Sequence, residues 1–452
     1  MQVTQFTDEV PNSSRAIVPS SPWPGWQRVA FRFCFVYFSL YCLSNQILST
    51  PFAWYTWNIP DLATLPPFRQ IIFWVASHIF HFQLPLVYSD SGSGDKAFEW
   101  TLLPIMIVLA FVATLIWSFL DRRRENYEVL LKWFRVAIRL LLAGQLLSYG
   151  FAKVFPIQMN FPALFTLVEP YGNFSPMGVL WGSIGASPAY EMFAGSAEVA
   201  AGLLLLVPRT ALLGALLAAA DMTQVWMLNM TYDVPVKLLS FHLLLLSLFL
   251  IAPDAKRLAQ FFLTDHAVDP SPRPANRFFQ NPRANRIALV LQLAFGVWLL
   301  GLNIATGIFS WKVYGGGQPK SPLHGIWNVD AMTVDGQTRT LDAATATADT
   351  GRWRRLIFQY DANAVVQRWP VDDLLFYSLA LDAGKRTIDL TRERDPKQSA
   401  HFTFDRTAPD TLTLDGEIDG HPAHLALKRM DETKMLLVSR GFHWRQDYPF
   451  NR

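Results

Sequence analysis

The chain has 452 residues, a length that would accommodate about three domains of ordinary size. Hydrophobic residues make up 51% of it and charged residues only 17%, against roughly 25% charged residues in soluble domains. This composition excludes a string of soluble domains and indicates a membrane protein. The net charge of +3 is small and the basic residues fall in short clusters between apolar runs, so nucleic acid is not an expected partner.

Residues 1–28 are predicted to be a cytoplasmic N-terminal segment. A stretch rich in Ser and Pro precedes the first apolar run, and no small-residue cleavage pattern follows that run, so we interpret it as a retained span. The run contains the two cysteines of the chain, Cys34 and Cys42. Two cysteines in one segment provide neither a disulfide framework, nor a CxxC redox centre, nor a thiolate metal site.

Residues 29–309 are predicted to form an α-helical membrane bundle. A bilayer core needs about 20 mostly apolar residues per helix. Lys and Arg cluster after the second, fourth and sixth apolar segments, which predicts an inner-membrane protein with a cytoplasmic N-terminus and a periplasmic C-terminal domain. Seven segments have the required length: Val29 to Leu48, Thr101 to Leu120, Val129 to Val154, Pro188 to Val207, Ala211 to Asn229, Val234 to Ile251 and Ile287 to Phe309.

The connection after the first span contains an apolar stretch from Phe68 to Phe82 that is shorter than a bilayer. We predict a helix that lies at the outer interface or re-enters the membrane. His78 and His81 are three residues apart in this stretch and could bind a metal ion from one helical face. No third ligand lies at a short spacing, so interfacial histidines are the favoured interpretation.

Charged side chains inside apolar segments cost roughly 2.5 to 3.5 kcal/mol each on insertion scales, so each needs an explanation. Arg135 and Arg139 fall within two turns of the cytoplasmic end of their segment, where snorkelling is expected. Four polar residues on three successive segments are predicted to converge at similar depth in the bundle interior. They are Glu198, Asp221, Gln224 and His242. The alternatives for this cluster are a structural lock between helices and a ligand or proton-handling site.

Two lysines near the outer boundary, Lys153 and Lys237, complete the candidate catalytic residues, which also include Glu198, Asp221 and His242. A plain interfacial anchor is the alternative for Lys153. The candidate cofactor-binding residues are Tyr149, Glu198 and Gln224.

Two stretches, Leu147-Ser-Tyr-Gly-Phe-Ala-Lys153 and Gly195-Ser-Ala-Glu-Val-Ala-Ala-Gly202 with the residues up to Thr210, resemble the DoxX-like membrane family. The similar block runs from about Leu141 to Ala252 and touches Lys153, Glu198 and Arg209. The resemblance implies a DoxX-like four-helix unit at about residues 129–252. Because named relatives are associated with quinone-linked oxidation of sulfur compounds, it also implies a quinone as cofactor.

After a linker at residues 310–322, which is rich in Gly and Pro, residues 323–452 are predicted to form an antiparallel β-barrel. Apolar residues alternate with polar ones, as expected for about eight to ten short strands. The first strand is predicted at Leu323 to Trp327 and the end of the barrel at Ser439 to Trp444. Turns are predicted at Asp382-Ala-Gly384, Asp415-Gly416 and Asp419-Gly420.

This domain resembles the lipocalin type, in which a GxW motif near the start packs its Trp against a late Arg. Gly325, Trp327 and Arg440 match that motif. Another antiparallel sandwich is the alternative. Composition leaves open whether such a barrel is hollow or filled by its own side chains.

Two classes of function follow. The first is an inner-membrane protein that binds a quinone or isoprenoid lipid in the bundle, with a redox-linked role. A vitamin K-dependent carboxylase-like membrane enzyme is a variant of it, similar in architecture alone. The second is a non-catalytic envelope assembly or lipid-handling protein with an envelope protein as partner. Whether the chain is an enzyme is left open.

Overall fold

The computed structural model of the protein describes residues 22–53, 59–89, 91–265, 267–268, 279–339 and 351–451. Most of the predicted N-terminal segment, residues 1–21, lies outside the described residues. Helices occupy the chain up to Val313, and antiparallel strands follow from Lys320. The predicted order of a helical region followed by an antiparallel β-barrel is therefore confirmed.

Five helical stretches in the described residues are long and apolar enough to cross a membrane: Ala97–Leu120, Pro188–Leu206, Ala211–Thr231, Lys237–Leu263 and Pro282–Val313. The helices of this region are α1 (Gly25–Ser44), α2 (Pro66–His78), α3 (Ala97–Leu120), α4 (Glu128–Val154), α5 (Pro176–Gly185), α6 (Pro188–Leu206), α7 (Ala211–Thr231), α8 (Lys237–Ile251), α9 (Ala255–Leu263) and α10 (Pro282–Val313). The stretch predicted from Phe68 to Phe82 is helical only to His78. At 13 residues, α2 is about 20 Å long and shorter than a bilayer core.

The chain divides into two compact units, each built from segments that are distant in sequence. The boundaries fall inside α4, α6, α7 and α10, so different parts of one helix belong to different units. The first unit comprises Met1–Leu146, Ala201–Trp226 and Pro235–Leu299, and the second comprises Leu147–Ala200, Met227–Val234 and Leu300–Arg452.

In the first unit, the start of α8 is capped by a side chain from the connection before α3. The Asp95 carboxylate accepts hydrogen bonds from the backbone N–H groups of Lys237 (2.7 Å) and Leu238 (2.9 Å). The first N–H groups of a helix have no partner inside the helix, so this contact satisfies two of them. The Lys237 ammonium also lies 3.8 Å from Asp95.

Asp61 lies in the connection between α1 and α2, where burial raises its pKa to about 6. The hydroxyl of Ser49, 3.4 Å from its carboxylate, and the charge of Lys96 act in the opposite direction. Burial has the larger effect because removal from water disfavours the charged form.

We expect the protein in detergent to lose stability as the pH rises from about 4 to about 6. Folded Asp61 keeps its proton in this range, whereas the unfolded residue, with a pKa of 3.8, has released it. The stabilisation from this proton is therefore complete below the unfolded pKa of 3.8. It is lost as the pH rises through the folded pKa of about 6. In Asp61→Asn this part of the pH dependence should vanish from thermal unfolding curves. Identical pH profiles for the variant and the wild type would contradict the assignment.

The barrel is a meander of eight strands closed by pairing between β1 and β9, and the two-residue strand β2 pairs antiparallel with the end of β1. The strands are β1 (Lys320–Val334), β2 (Gln337–Thr338), β3 (Trp353–Tyr360), β4 (Asn363–Arg368), β5 (Leu374–Asp382), β6 (Thr387–Arg392), β7 (Ser399–Ala408), β8 (Thr411–Ile418) and β9 (His421–Arg429). Because α10 ends at Val313, only residues 314–319 connect it to β1, and the amides of Gly315 and Gly317 bond back to the Trp311 carbonyl.

The turn predicted at Asp419-Gly420 joins β8 and β9, and both residues have positive φ angles (50° and 81°), as the tightest hairpin turns require. The turn predicted at Asp415-Gly416 is wrong, because both residues lie within β8. A Cβ atom on Gly416 would overlap the carbonyl oxygen of His401 on β7. This glycine therefore permits a close approach of two strands rather than a change of direction.

The interior of the barrel is filled by its own side chains. Twenty-one buried residues form one apolar cluster that includes Trp327, Trp353, Phe358 and Phe402. Trp327 is fully buried, and its indole N–H donates to the Leu323 carbonyl at 2.8 Å. The barrel formed by the described strands is therefore filled by its own side chains and not hollow.

Two details of the predicted barrel are wrong. The last strand is β9, which ends at Arg429, whereas residues from Ser439 to Trp444 are mostly exposed and form no strand. The guanidinium over the Trp327 ring belongs to Arg406, 5.7 Å from the ring centre, while Arg440 lies over Phe450. Beyond Arg429 buried and exposed residues no longer alternate, and the sheet does not continue.

Candidate functional site

A buried ion pair in the second unit joins the last turn of α4 to the middle of α6. The Lys153 ammonium lies 2.7 Å from Oε1 and 2.9 Å from Oε2 of Glu198. The side chains of these residues are only 9% and 2% exposed. Lys153 also lies 3.5 Å from the backbone carbonyl of Tyr149, one turn earlier on α4. The structure thus brings together Tyr149, Lys153 and Glu198, three of the candidate residues predicted from the sequence.

Two glycines explain why the helices meet at this point. A Cβ atom on Gly195 would lie 2.5 Å from the carbonyl oxygen of Gly150 and 2.6 Å from Cβ of Lys153. A Cβ atom on Gly150 would in turn lie 2.8 Å from Val199. Small residues allow helix backbones to approach this closely. The ion pair therefore depends on a contact that no larger side chain would permit without movement.

A second buried carboxylate, Glu191, lies two turns before Glu198 on α6. It is 0% exposed, and its Oε1 accepts a hydrogen bond from the backbone N–H of Met159 at 2.9 Å. Met159 belongs to the segment that follows α4. The carboxylates of α6 thus both face α4 and the residues just after it.

An apolar cavity of about 350 Å³ lies between the ends of α4 and α10. Its lining residues are Val154, Phe155, Pro156, Ile308, Trp311 and Lys312. Gly307 makes room here, since a Cβ atom on it would overlap the Phe155 ring. The cavity is open on one side, since Ile308 and Trp311 in its lining are 44% and 41% exposed. Lys312 supplies the cationic group of this otherwise apolar wall.

His242 belongs to a different cluster, in the first unit. Its Nε2 lies 2.7 Å from the hydroxyl of Tyr37, and its Nδ1 lies 2.6 Å from the Leu238 carbonyl. The ring also stacks on Tyr41, with ring centres 3.7 Å apart. Because a carbonyl only accepts, Nδ1 carries the proton and Nε2 accepts from the Tyr37 hydroxyl. The two tyrosines were missed, although they lie one helical turn apart on α1.

The four residues predicted to converge have different surroundings in the structure. Glu198 pairs with Lys153, and His242 contacts Tyr37 and Tyr41. On α7, Asp221 is half-buried and Gln224 is exposed. Lys237 takes part in the contact with Asp95 at the start of α8.

The predicted snorkelling does not describe Arg139, which is buried and donates to the Gln292 side chain on α10. Arg135 donates to the Leu250 carbonyl at 3.0 Å and lies 3.5 Å from Asp254. Both guanidinium groups therefore link helices within the first unit.

The two histidines in the connection between α1 and α3 do not share a helical face. Helix α2 ends at His78, whose Nδ1 lies 2.9 Å from the Trp74 carbonyl. His81 follows the helix and has a φ of 56°. Across the described residues, no group of three or more His, Cys, Asp or Glu side chains is arranged to hold a metal ion.

Comparison with known proteins finds a relative of this chain in Bacillus subtilis. Uncharacterized protein YwoB of Bacillus subtilis (strain 168) is 30% identical over 133 residues, which is 27% of this chain and 79% of YwoB. The chain belongs to the same family as YwoB. No family model and no solved structure match the chain. Because YwoB is itself described as uncharacterized, membership of its family indicates no ligand or reaction.

Proposed function

We propose that this chain is a DoxX-like inner-membrane protein that binds a quinone or an isoprenoid lipid in the cavity between α4 and α10. The observation that carries the proposal is the cavity itself. Its volume suits a ring or several prenyl units, and its lining is apolar apart from Lys312. A carbonyl or anionic head group would find a hydrogen-bond donor in that lysine, while a prenyl chain would pack on Phe155, Ile308 and Trp311.

The Lys153–Glu198 pair fits the proposal as a fixed polar element next to the cavity, since Val154 lines the cavity and directly follows Lys153. With both carboxylate oxygens on the ammonium, this pair favours a role in holding the helices and the cavity wall in place. Its bidentate, buried geometry also supports the alternative of a purely structural lock.

Filling the cavity tests the proposal directly. We expect the protein purified in mild detergent to retain a quinone or prenyl lipid, identified by mass spectrometry of the extracted lipid, and Ile308→Trp to lose most of it. Ile287→Trp is the matched control, because Ile287 lies on the same helix at an exposed position away from the cavity lining. Equal lipid content in the two variants, or no such lipid in the wild type, would contradict the proposal.

The proposed topology has seven spans, with α1 and α4 crossing the membrane in addition to the five apolar stretches, and a DoxX-like unit formed by α4, α6, α7 and α8. Helices α1 and α4 have 20 and 27 residues, which is long enough to cross. An odd number of spans places the barrel in the periplasm if the N-terminus is cytoplasmic.

Fusions of a reporter after Gly316 test this topology. We expect alkaline phosphatase, which is active only in the periplasm, to be active at this position, and a cytoplasm-dependent fluorescent protein to be dark there. The reverse pattern would mean an even number of spans. A parallel fusion after Arg123, which lies in the predicted cytoplasmic cluster, serves as the control.

A further inference from the structure

The C-terminal tail, residues 436–450, exposes far more apolar surface than the barrel before it. Almost half of its residues are large, apolar and exposed, and Phe442, Trp444 and Tyr448 reach 77%, 94% and 85% exposure. The described strands and turns of the barrel expose only two such side chains. Single exposed apolar side chains are ordinary on a protein surface, whereas a run of them marks an interaction site.

The residue types of the tail are those found at a membrane interface. Trp and Tyr combine an apolar ring with one polar group, and they are therefore enriched at the level of the lipid headgroups. Arg440 and Arg445 lie among the aromatic residues and can donate to lipid phosphates. The guanidinium of Arg440 also lies over the ring of Phe450, 3.9 Å from its centre, which brings distant parts of the tail together.

The tail leaves the barrel at the end where the chain from α10 enters it. Strand β9 is antiparallel to β1 and pairs Arg429 with Trp327, so β9 ends beside the first half of β1. The N–H of Met430 donates to the Ile326 carbonyl at 2.8 Å, and the Glu432 carboxylate accepts from the N–H of Ile326 at 3.2 Å. The start of the tail is therefore fixed at the end of the barrel that is joined to α10.

Helix α10 places this end of the barrel close to a membrane surface. The helix is one of the five stretches that are long and apolar enough to cross a membrane. Its last turn contains Trp311 and Lys312, residue types that lie at membrane interfaces. Residues 314–319 connect α10 to β1 and span at most about 20 Å when fully extended. The tail is thus held within reach of the lipid headgroups.

A second connection from the helical region packs at the same end of the barrel. Leu164 and Phe165, between α4 and α5, and Met435, just before the tail, all pack against the buried cluster that includes Ile326. The N–H of Leu164 donates to the side chain of Gln359 on β3 at 2.8 Å. The chain that follows α4 and the chain that follows α10 therefore meet where the tail begins.

We propose that the C-terminal tail binds the surface of the bilayer that α10 crosses. Phe442, Trp444 and Tyr448 enter the headgroup region, and Arg440 and Arg445 lie at the level of the lipid phosphates. Because the tail is tethered within about 20 Å of that surface, binding is intramolecular and needs little affinity of its own. The inference is independent of the cavity and its ligand, and it holds for a barrel on either side of the membrane.

Fluorescence quenching by spin-labelled lipid tests the anchor in the full chain. A fluorophore is attached to His443→Cys, with Cys34 and Cys42 replaced by alanine, and the protein is placed one copy per nanodisc of phosphatidylethanolamine and phosphatidylglycerol. With a nitroxide on the headgroups, about half of the fluorescence should be quenched, because an interfacial segment lies within the headgroup layer. Lys397→Cys, an exposed position between β6 and β7 at the opposite end of the barrel, is the control and should lose less than about a tenth.

A second variant separates binding from proximity. Phe442→Ser, Trp444→Ser and Tyr448→Ser are combined in one chain with the fluorophore at the same position. This chain should lose most of the quenching, because the side chains that enter the headgroup region are gone. Hydrogen exchange of its barrel peptides should equal that of the wild type, since all three side chains are exposed.

Three results would overturn the proposal. The first is quenching at position 443 that is as weak as quenching at position 397. The second is full quenching in the triple-serine variant, which would mean that the tail lies near the bilayer without binding it. The third is a label that is shielded only in discs with two copies of the protein, which would identify a second copy as the partner of the tail.

Discussion

Replacing Lys153 with methionine is expected to lower the free energy of unfolding by about 3 to 5 kcal/mol, because Glu198 would be left as a buried charge without its partner. Glu198→Leu should also be destabilising, because Lys153 would then be the buried charge without its partner. In the double variant Lys153→Met with Glu198→Leu, no charge is left behind, and most of the loss should be recovered. Chemical or thermal unfolding in detergent measures all three variants in one double-mutant cycle.

Lys385→Met is the matched surface control. Lys385 lies 3.4 Å from Asp382 in an exposed pair on the barrel, so its replacement should have little effect on stability because solvent screens the pair. If Lys153→Met were no more destabilising than Lys385→Met, the buried pair would not be a fixed element of the second unit. The cycle also separates the two roles of the pair. A lock predicts that the double variant keeps its lipid, whereas a ligand-contacting role predicts lipid loss with stability restored.

Replacing Trp327 with alanine is the second change with a large expected effect, about 3 to 5 kcal/mol in the stability of the barrel. The side chain is fully buried in the apolar cluster, and its removal also leaves the Leu323 carbonyl without the indole N–H. Hydrogen exchange of barrel peptides in the full chain, followed by mass spectrometry, should show faster exchange throughout β1 and its neighbours β3 and β9.

Trp444→Ala is the control for this prediction, because Trp444 is 94% exposed. Its replacement should leave exchange in the barrel unchanged to within about 0.5 kcal/mol. Slow exchange retained in Trp327→Ala would show that the barrel interior can close over the missing indole, and that the filled interior is not what holds the strands together.

Several residues of the site could be predicted from the sequence, but the contacts between them could not. Lys153 was predictable as a lysine at the end of an apolar segment, and Glu198 as a carboxylate among small residues on a helix that must face protein. Their pairing was not predictable, since 45 positions separate them. The same holds for Tyr37 and His242, which are 205 positions apart and meet through the packing of α1 against α8.

Local patterns decided the class of each region. A run of apolar residues longer than a bilayer can satisfy its backbone hydrogen bonds in water-free surroundings only as a helix, so composition and length alone predicted the helical region. Alternating residues after position 323 predicted the sheet, because a strand with one buried face has a period of two. The Asp419-Gly420 turn followed from the need for two positive φ angles.

Other features of the fold depend on contacts between residues that are distant in sequence. Asp415-Gly416 has the sequence of a turn, yet it lies inside β8 because the carbonyl of His401 comes so close that only glycine fits. The partner of the Trp327 ring is Arg406 rather than Arg440, since closure of the barrel depends on which strand pairs with β1. Sequence by itself determined a helical membrane region and an antiparallel barrel, because periodicity and length are local properties. Only the tertiary structure decided the Lys153–Glu198 pair and the cavity between α4 and α10, because each depends on how closely the helix backbones approach one another.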